Sequence, residues 1–209
     1  MIGFRVGLAL GGGAARGVAH IGVIRALEEA KIPIDIIAGT SAGALVGACY
    51  ALTRNVDEVQ NRVVSFLQSK EFRRTKLDLL RERKKEDQVP KFFENLKAFL
   101  KKGVFYTSSV TRISYISEEN FVQGINAILD DILIEKVQIP FAAVAVDLVS
   151  GEEVILKKGP LRTAVRASCA IPGVFPPTLI DGKRLVDGSW VDTVPIEPAR
   201  QLGADFIIG

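Results

Sequence analysis

The sequence predicts an α/β fold, on three observations. Short apolar runs end in glycine-rich turns, and each turn leads into a segment with helical spacing. That alternation occurs twice in the first 52 residues and resumes after residue 118. The composition, 48% hydrophobic and 24% charged over 209 residues, suits one domain with a real core and excludes a mainly disordered chain.

Phe4–Leu10 is the first strand, closed by Gly11-Gly12-Gly13. Val18–Ala30 is a helix: Val18, Ile21, Ile24 and Leu27 recur at threes, and Arg25, Glu28, Glu29 and Lys31 mark its wet side and end. Pro33 ends it, and Ile34–Ala38 is the second strand. After Gly39-Thr40-Ser41, Ala42–Leu52 is a nearly all-apolar helix that must be buried on most sides. Its Gly43, Gly47 and Ala51 share one face and allow a neighbour to approach closely. Asp57–Gln68 is an amphipathic helix. Further on, Glu118–Leu129 reads as a helix, Phe141–Leu148 as a strong strand and Glu153–Lys157 as another after a turn at Ser150-Gly151. Leu161–Ala170 is a short helix stopped by Ile171-Pro172-Gly173. Leu179–Asp181 and Lys183–Val186 flank an Asp-Gly turn, a hairpin signal. Pro198–Leu202 ends a helix closed by Gly203, and Phe206–Ile208 opens a strand. An α/β unit normally continues there, so the sequence is expected to be part of a longer polypeptide.

Between the two α/β regions the composition changes. From Lys70 to Lys102 there are 12 basic and 6 acidic residues, so this stretch carries +6 and the remainder −3. Phe66, Phe72, Phe92, Phe93, Phe99 and Phe105 lie in or beside it. The expected organisation is one domain over residues 1–209 with this insertion at about 70–115. It is either a charged surface excursion or a cap with a basic side toward a membrane or anionic substrate and an aromatic side over a cleft.

Several function classes are excluded early. Two cysteines, Cys49 and Cys169, in small apolar surroundings make neither a disulfide framework nor a four-ligand zinc site. His20 is the single histidine, which excludes two-imidazole catalysis and His-rich metal centres. A net charge of +3 does not point to nucleic acid. Arg5 interrupts the first apolar run, unlike a secretory leader. The longest apolar helix candidate covers about half a membrane span. The expected location is cytoplasmic, with peripheral membrane contact left open.

The sharpest chemical signal is Gly39-Thr40-Ser41-Ala42-Gly43, a G-x-S-x-G between an apolar strand and an apolar helix. In that setting the serine projects from a tight turn at a helix amino end, where developing negative charge is favoured. Gly11-Gly12-Gly13-Ala14-Ala15-Arg16-Gly17 offers free backbone N–H groups for an anion, with Arg16 ordering the loop or meeting an anionic group. Dinucleotide and Walker fingerprints both fail by position. Ser41 needs a base. His20 lies in a helix pattern, whereas Asp187 ends an apolar run beside Gly188; Asp147, Asp192 and Asp205 are its rivals.

These blocks resemble the bacterial patatin-like phospholipases, serine acyl hydrolases that include plant patatins and the catalytic domain of neuropathy target esterase. The resemblance rests on the loop with Arg16-Gly17, the Gly39–Gly43 turn, Ala167-Ser168-Cys169-Ala170-Ile171-Pro172-Gly173-Val174-Phe175-Pro176-Pro177, and Asp187-Gly188-Ser189 with Pro195, Ala199-Arg200 and Gly203-Ala204-Asp205. It implies a three-layer α/β/α sandwich with a central, mostly parallel sheet and a Ser–Asp dyad. Ser41 would be the nucleophile and Asp187 the general base and acid. N–H groups of Gly12, Gly13 and Ala14 would hold the oxyanion, on a loop supported by Gly11, Arg16 and Gly17. It implies no metal and no cofactor. Ser189 stands where relatives often have glycine, and Thr193 where many have asparagine. The function expected is hydrolysis of lipid acyl esters, of phospholipase A or lysophospholipase type. The alternative is a non-catalytic lipid- or protein-binding module retaining the fold.

Overall fold

A seven-stranded sheet forms the centre of the computed structural model, which describes residues 3–70, 72, 114 and 116–209. The expected insertion at about 70–115, with its basic, phenylalanine-rich stretch, lies outside the described residues except for Lys70, Phe72 and Ser114. The strands are β1 (Val6–Leu10), β2 (Ile36–Thr40), β3 (Phe141–Asp147), β4 (Glu153–Leu156), β5 (Thr178–Ile180), β6 (Lys183–Asp187) and β7 (Phe206–Ile208). Among the described residues the α-helices are α1 (Ala19–Glu29), α2 (Ala42–Thr53), α3 (Val56–Gln68), α4 (Glu118–Ile128), α5 (Leu161–Ser168) and α6 (Ile196–Gln201).

β1 pairs in parallel with β2 and β7, and β2 in parallel with β3. The pairings of β3 with β4 and β6, and of β5 with β6, are antiparallel. The sheet is therefore mixed, with its parallel part confined to β3–β2–β1–β7. Helices cover both faces, giving three layers. Leu8, Leu10, Ile37, Phe141 and Ala143 face α2 within the main core. On the opposite face Gly7 leaves room for Ala199 of α6 and for Ala204.

β2 begins two residues later than its apolar run suggests and extends to Thr40. Its register with β1, Gly7↔Ile36 through Leu10↔Gly39, sets those limits. Asp35 stays outside the strand, its carboxylate accepting the Val6 N–H at 2.8 Å. The strand consequently runs straight into Ser41. At the β5–β6 hairpin Asp181 and Gly182 both take positive φ, 48° and 77°, as a two-residue turn with strand-matched twist requires. Asn55 caps α3 through the N–H groups of Asp57 and Glu58, which moves the helix start one residue earlier than its charge pattern shows.

One feature of β3 positions the site. Val144 pairs with Thr40 on one edge and Ile155 on the other, and Ala145 pairs with Asp187 and Val154. With β4 along one edge, β2 and β6 must share the opposite edge end to end. The last residue of β2 and the last residue of β6 therefore sit beside consecutive residues of β3. No helix among the described residues is long and apolar enough to cross a membrane.

Candidate active site

Ser41 follows β2 and precedes α2, with φ 55° and ψ −122°, a region L-residues rarely occupy. Close packing enforces the turn. A Cβ on Gly39 would fall 2.6 Å from the Gly43 carbonyl oxygen, and one on Gly43 would run into the Leu10 carbonyl. Both positions exclude any side chain, and the result pushes Ser41 out of the turn. The Ser41 N–H donates to Ser168 Oγ at 2.9 Å, and the Ser168 hydroxyl donates to the Val144 carbonyl. Cys169 Sγ–H donates to the Ser41 carbonyl at 3.2 Å. The turn is held from α5 at both backbone ends.

Ser41 Oγ–H donates to Asp187 Oδ2 at 2.6 Å, with the two residues only 5% and 3% exposed. The contact follows from the end-to-end meeting of β2 and β6 on β3. Gly188 completes it, since a Cβ there would collide with the Val144 carbonyl. Asp187 Oδ1 accepts the Ser189 N–H at 2.9 Å. Burial raises the Asp187 carboxyl above its ordinary value, and hydrogen bonds from Ser41 and Ser189 work against that rise. A hydroxyl joined to a buried, unusually basic carboxylate at a helix amino end can attack a carbonyl and deliver its proton in one motion.

The glycine-rich loop lies over this pair. A Cβ on Gly12 would be 3.5 Å from Ser41 Cβ. The Gly12 N–H donates to the Thr193 carbonyl at 2.9 Å and so is already committed. The N–H groups of Gly13 and Ala14 donate to nothing among the described residues. Gly11 and Gly17 support the loop at its ends. The Gly11 carbonyl accepts a hydrogen bond from His20 Nε2 at 2.8 Å, and Gly17 packs where a Cβ would strike Ala42. Arg16 is exposed, and its backbone N–H donates to the Gly13 carbonyl at 3.0 Å.

His20 thus holds the loop and is not bonded to Ser41. The rival aspartates are elsewhere. Asp147 accepts bonds from Val149 and Ser150 in a turn; burial alone would raise its carboxyl, but those bonds outweigh it and lower it. Asp205 Oδ2 accepts the Arg5 N–H at 2.8 Å. Burial raises the Asp192 carboxyl, which hydrogen-bonds with Glu153, while its carbonyl accepts the Thr40 hydroxyl at 3.0 Å. Ser168 and the loop-holding role of His20 are the residues that the sequence reading did not single out. Ser168 lay within a block read for likeness alone, and nothing in the helical setting of His20 indicates a carbonyl nine residues earlier. Among the described residues no three His, Cys, Asp or Glu side chains group as a metal site would require.

Comparison with known proteins adds an independent line. Residues 8–200 match the profile of the family described as Patatin-like phospholipase. The chain is 38% identical over 204 residues to an NTE family protein of Mycobacterium tuberculosis, covering 98% of this chain and 48% of that protein. It is 33% identical over 208 residues to a lysophospholipase of Aspergillus fumigatus, covering 99% of this chain and 12% of that protein. The chain thus spans about half the length of the mycobacterial relative and a smaller share of the fungal one. Among solved structures, VipD from Legionella pneumophila shares the fold, with a TM-score of 0.53 at 16% identity over 92% of this chain and 47% of that one.

Proposed function

Because the chain belongs to the patatin-like phospholipase family, we propose that it hydrolyses lipid acyl esters, of phospholipid or lysophospholipid type, through an acyl-enzyme on Ser41. The observation that carries this reading is the buried 2.6 Å hydrogen bond from Ser41 Oγ to Asp187 Oδ2. Ser41 Oγ attacks the acyl carbonyl while its proton passes to Asp187. Negative charge develops on the carbonyl oxygen and is met by the uncommitted N–H groups of Gly13 and Ala14, beside the amino end of α2. Collapse expels the alcohol, which takes the proton back from Asp187. Water then attacks the acyl-serine, gives its proton to Asp187, and the second collapse returns that proton to Ser41 as the fatty acid leaves.

One carboxylate thus serves as base and acid in both halves. The burial that raises Asp187 also strengthens it as a base. Residues 1–209 are read as one domain carrying the insertion at about 70–115. The +6 charge of Lys70–Lys102 supports contact with an anionic lipid surface. Sedimentation with anionic vesicles that weakens with added salt tests that contact; equal sedimentation with neutral vesicles at low salt refutes it.

The test of the function is a panel of phospholipids, lysophospholipids and simple esters, run on the wild type and on Ser41→Ala. Turnover lost in S41A supports the reading, with the preferred ester naming the substrate class. A folded wild type inert to the whole panel and to a fluorophosphonate probe supports a non-catalytic module.

A further inference from the structure

Ser168, the last residue of α5, is fully buried and reaches both β3 and the turn around Ser41. The Ser41 N–H lies at the start of α2, where a helix offers its own N–H groups no acceptor. Ser168 Oγ accepts it at 2.9 Å, and the Ser168 hydroxyl passes its own hydrogen to the Val144 carbonyl of β3. A helical serine can bond the carbonyl four residues before it; this one joins two neighbouring segments instead. The Val144 carbonyl is also the group against which Gly188, next to Asp187, packs so tightly that a Cβ would collide with it. The two residues after Ser168 hold further backbone groups of the pair. Cys169 Sγ–H donates to the Ser41 carbonyl at 3.2 Å, and the Ala170 carbonyl accepts the Asp187 N–H at 3.1 Å. Ser41 and Asp187 are thus both anchored to the end of α5 and to one carbonyl of β3.

We propose that the Ser168 hydroxyl is a positioning group for the reaction, holding Ser41 at φ 55° and ψ −122° so that its Oγ stays on Asp187 Oδ2. The proposal rests on the reading of Ser41 and Asp187 as a reacting pair. That backbone conformation is unfavourable for serine and persists only where the surroundings enforce it. Gly39 and Gly43 make room for the turn, and a directional bond to the Ser41 amide fixes how it is rotated. A hydroxyl suits the place because it accepts and donates at once. Alanine there strands the Ser41 N–H in a buried site, a costly state for a donor. Turning that amide toward another acceptor rotates Ser41 and swings Oγ away from the carboxylate. Asp187 does not follow, because Ala170 and Ser189 still hold it. The 2.6 Å bond from Oγ to Oδ2 leaves no slack, so a displacement of about 1 Å breaks the path of the proton. Ser168 acts through Ser41 and takes no proton itself.

The test is a double-mutant cycle between Ser168→Ala and Asp187→Asn, on variants shown folded by circular dichroism. It reads the rate of labelling by a fluorophosphonate, with kcat and KM for an activated ester. S168A should lower kcat and the labelling rate by about 10- to 100-fold, the scale of a 1 Å misplacement, with KM changed by less than about threefold. In D187N there is no base to align with, so adding S168A should slow labelling by less than about threefold. Packing damage alone slows labelling by the same factor in both backgrounds. Ser168→Cys fills the same space with a weaker acceptor; it should show the same split between backgrounds, and it completes the cycle if S168A fails to fold. A loss under about threefold with Asp187 intact, or equal factors in the two backgrounds, overturns the proposal. Labelling of D187N near the wild-type rate overturns instead the reading of the pair on which the proposal rests.

Discussion

Asp187→Asn isolates the proton transfer, because asparagine keeps the shape of the side chain and removes its basicity. Its amide oxygen can still accept the Ser189 N–H, now 2.9 Å from Oδ1, but the group facing Ser41 becomes an NH2 donor in place of Oδ2. Ser41 then has a hydroxyl with no acceptor and no base. Among the described residues the other candidates cannot take over: His20 is committed to Gly11, and Asp147, Asp192 and Asp205 are bonded elsewhere. General-base catalysis contributes about 100- to 10,000-fold, and a sole base in a buried site belongs in the upper part of that range. Acyl-enzyme formation in D187N should therefore fall by about 1,000-fold or more. The folded protein should at the same time gain stability near neutral pH. A carboxyl raised by burial holds its proton more tightly when folded, so its contribution is full at low pH and lost as pH rises through the folded value. Asparagine escapes that loss, by about 1.4 kcal/mol for each unit of upward displacement. The assay is rapid-quench acylation with an activated ester, on protein shown folded by circular dichroism, with melting curves at pH 4 and pH 8. An acylation rate within about tenfold of wild type refutes the assignment of the base.

Ser41→Gly should raise the melting temperature by about 2–12 °C while abolishing turnover, since the φ of 55° is strained for serine by about 1–3 kcal/mol and free for glycine; an unchanged melting point removes the strain argument. His20→Ala should cost at most about tenfold in kcat/KM, the scale of one hydrogen bond to the loop; a loss of about 1,000-fold in a folded variant makes the imidazole part of the chemistry. In Glu153 burial is the main cause of a raised carboxyl, with Asp192 adding to it, so the pair favours the folded state when protonated and strains it when both ionise. Glu153→Gln should accordingly raise the melting temperature more at pH 8 than at pH 4, and an equal change at both pH values contradicts the pairing.

Much of this arrangement is legible in the sequence because close packing writes itself in glycines. The turn around Ser41 is readable since Gly39 and Gly43 admit no side chain, and the Asp181-Gly182 hairpin since both residues need positive φ. Strand and helix periods place β1, β3 and α2 within a residue or two of where they lie. The pairing of β6 with β3 is not readable: LVD carries no mark of its partner, and antiparallel contact with a strand some 40 residues earlier is a tertiary choice. For that reason the residues leave Asp187, at the end of an apolar run beside Gly188, with Asp147, Asp192 and Asp205 as rivals, and likeness to a family strengthens its selection. The end-to-end meeting of β2 and β6 on β3 supplies the physical reason for that selection. The commitment of the Gly12 N–H to Thr193 is equally invisible, because backbone donors look alike in a sequence. That bond takes the Gly12 N–H out of the set of donors proposed for the oxyanion. His20 shows the same limit, since its helix spacing predicts a face but not the carbonyl it reaches.

The central claim is that Ser41 carries the acyl group. Mass spectrometry of peptides from protein quenched during turnover of a slow ester tests it most directly. The wild type should carry the acyl mass on the peptide containing Gly39–Gly43, at Ser41, and a folded Ser41→Ala variant should carry none and release no acid. An acyl group on another residue, or acid release by S41A at the wild-type rate, contradicts the account.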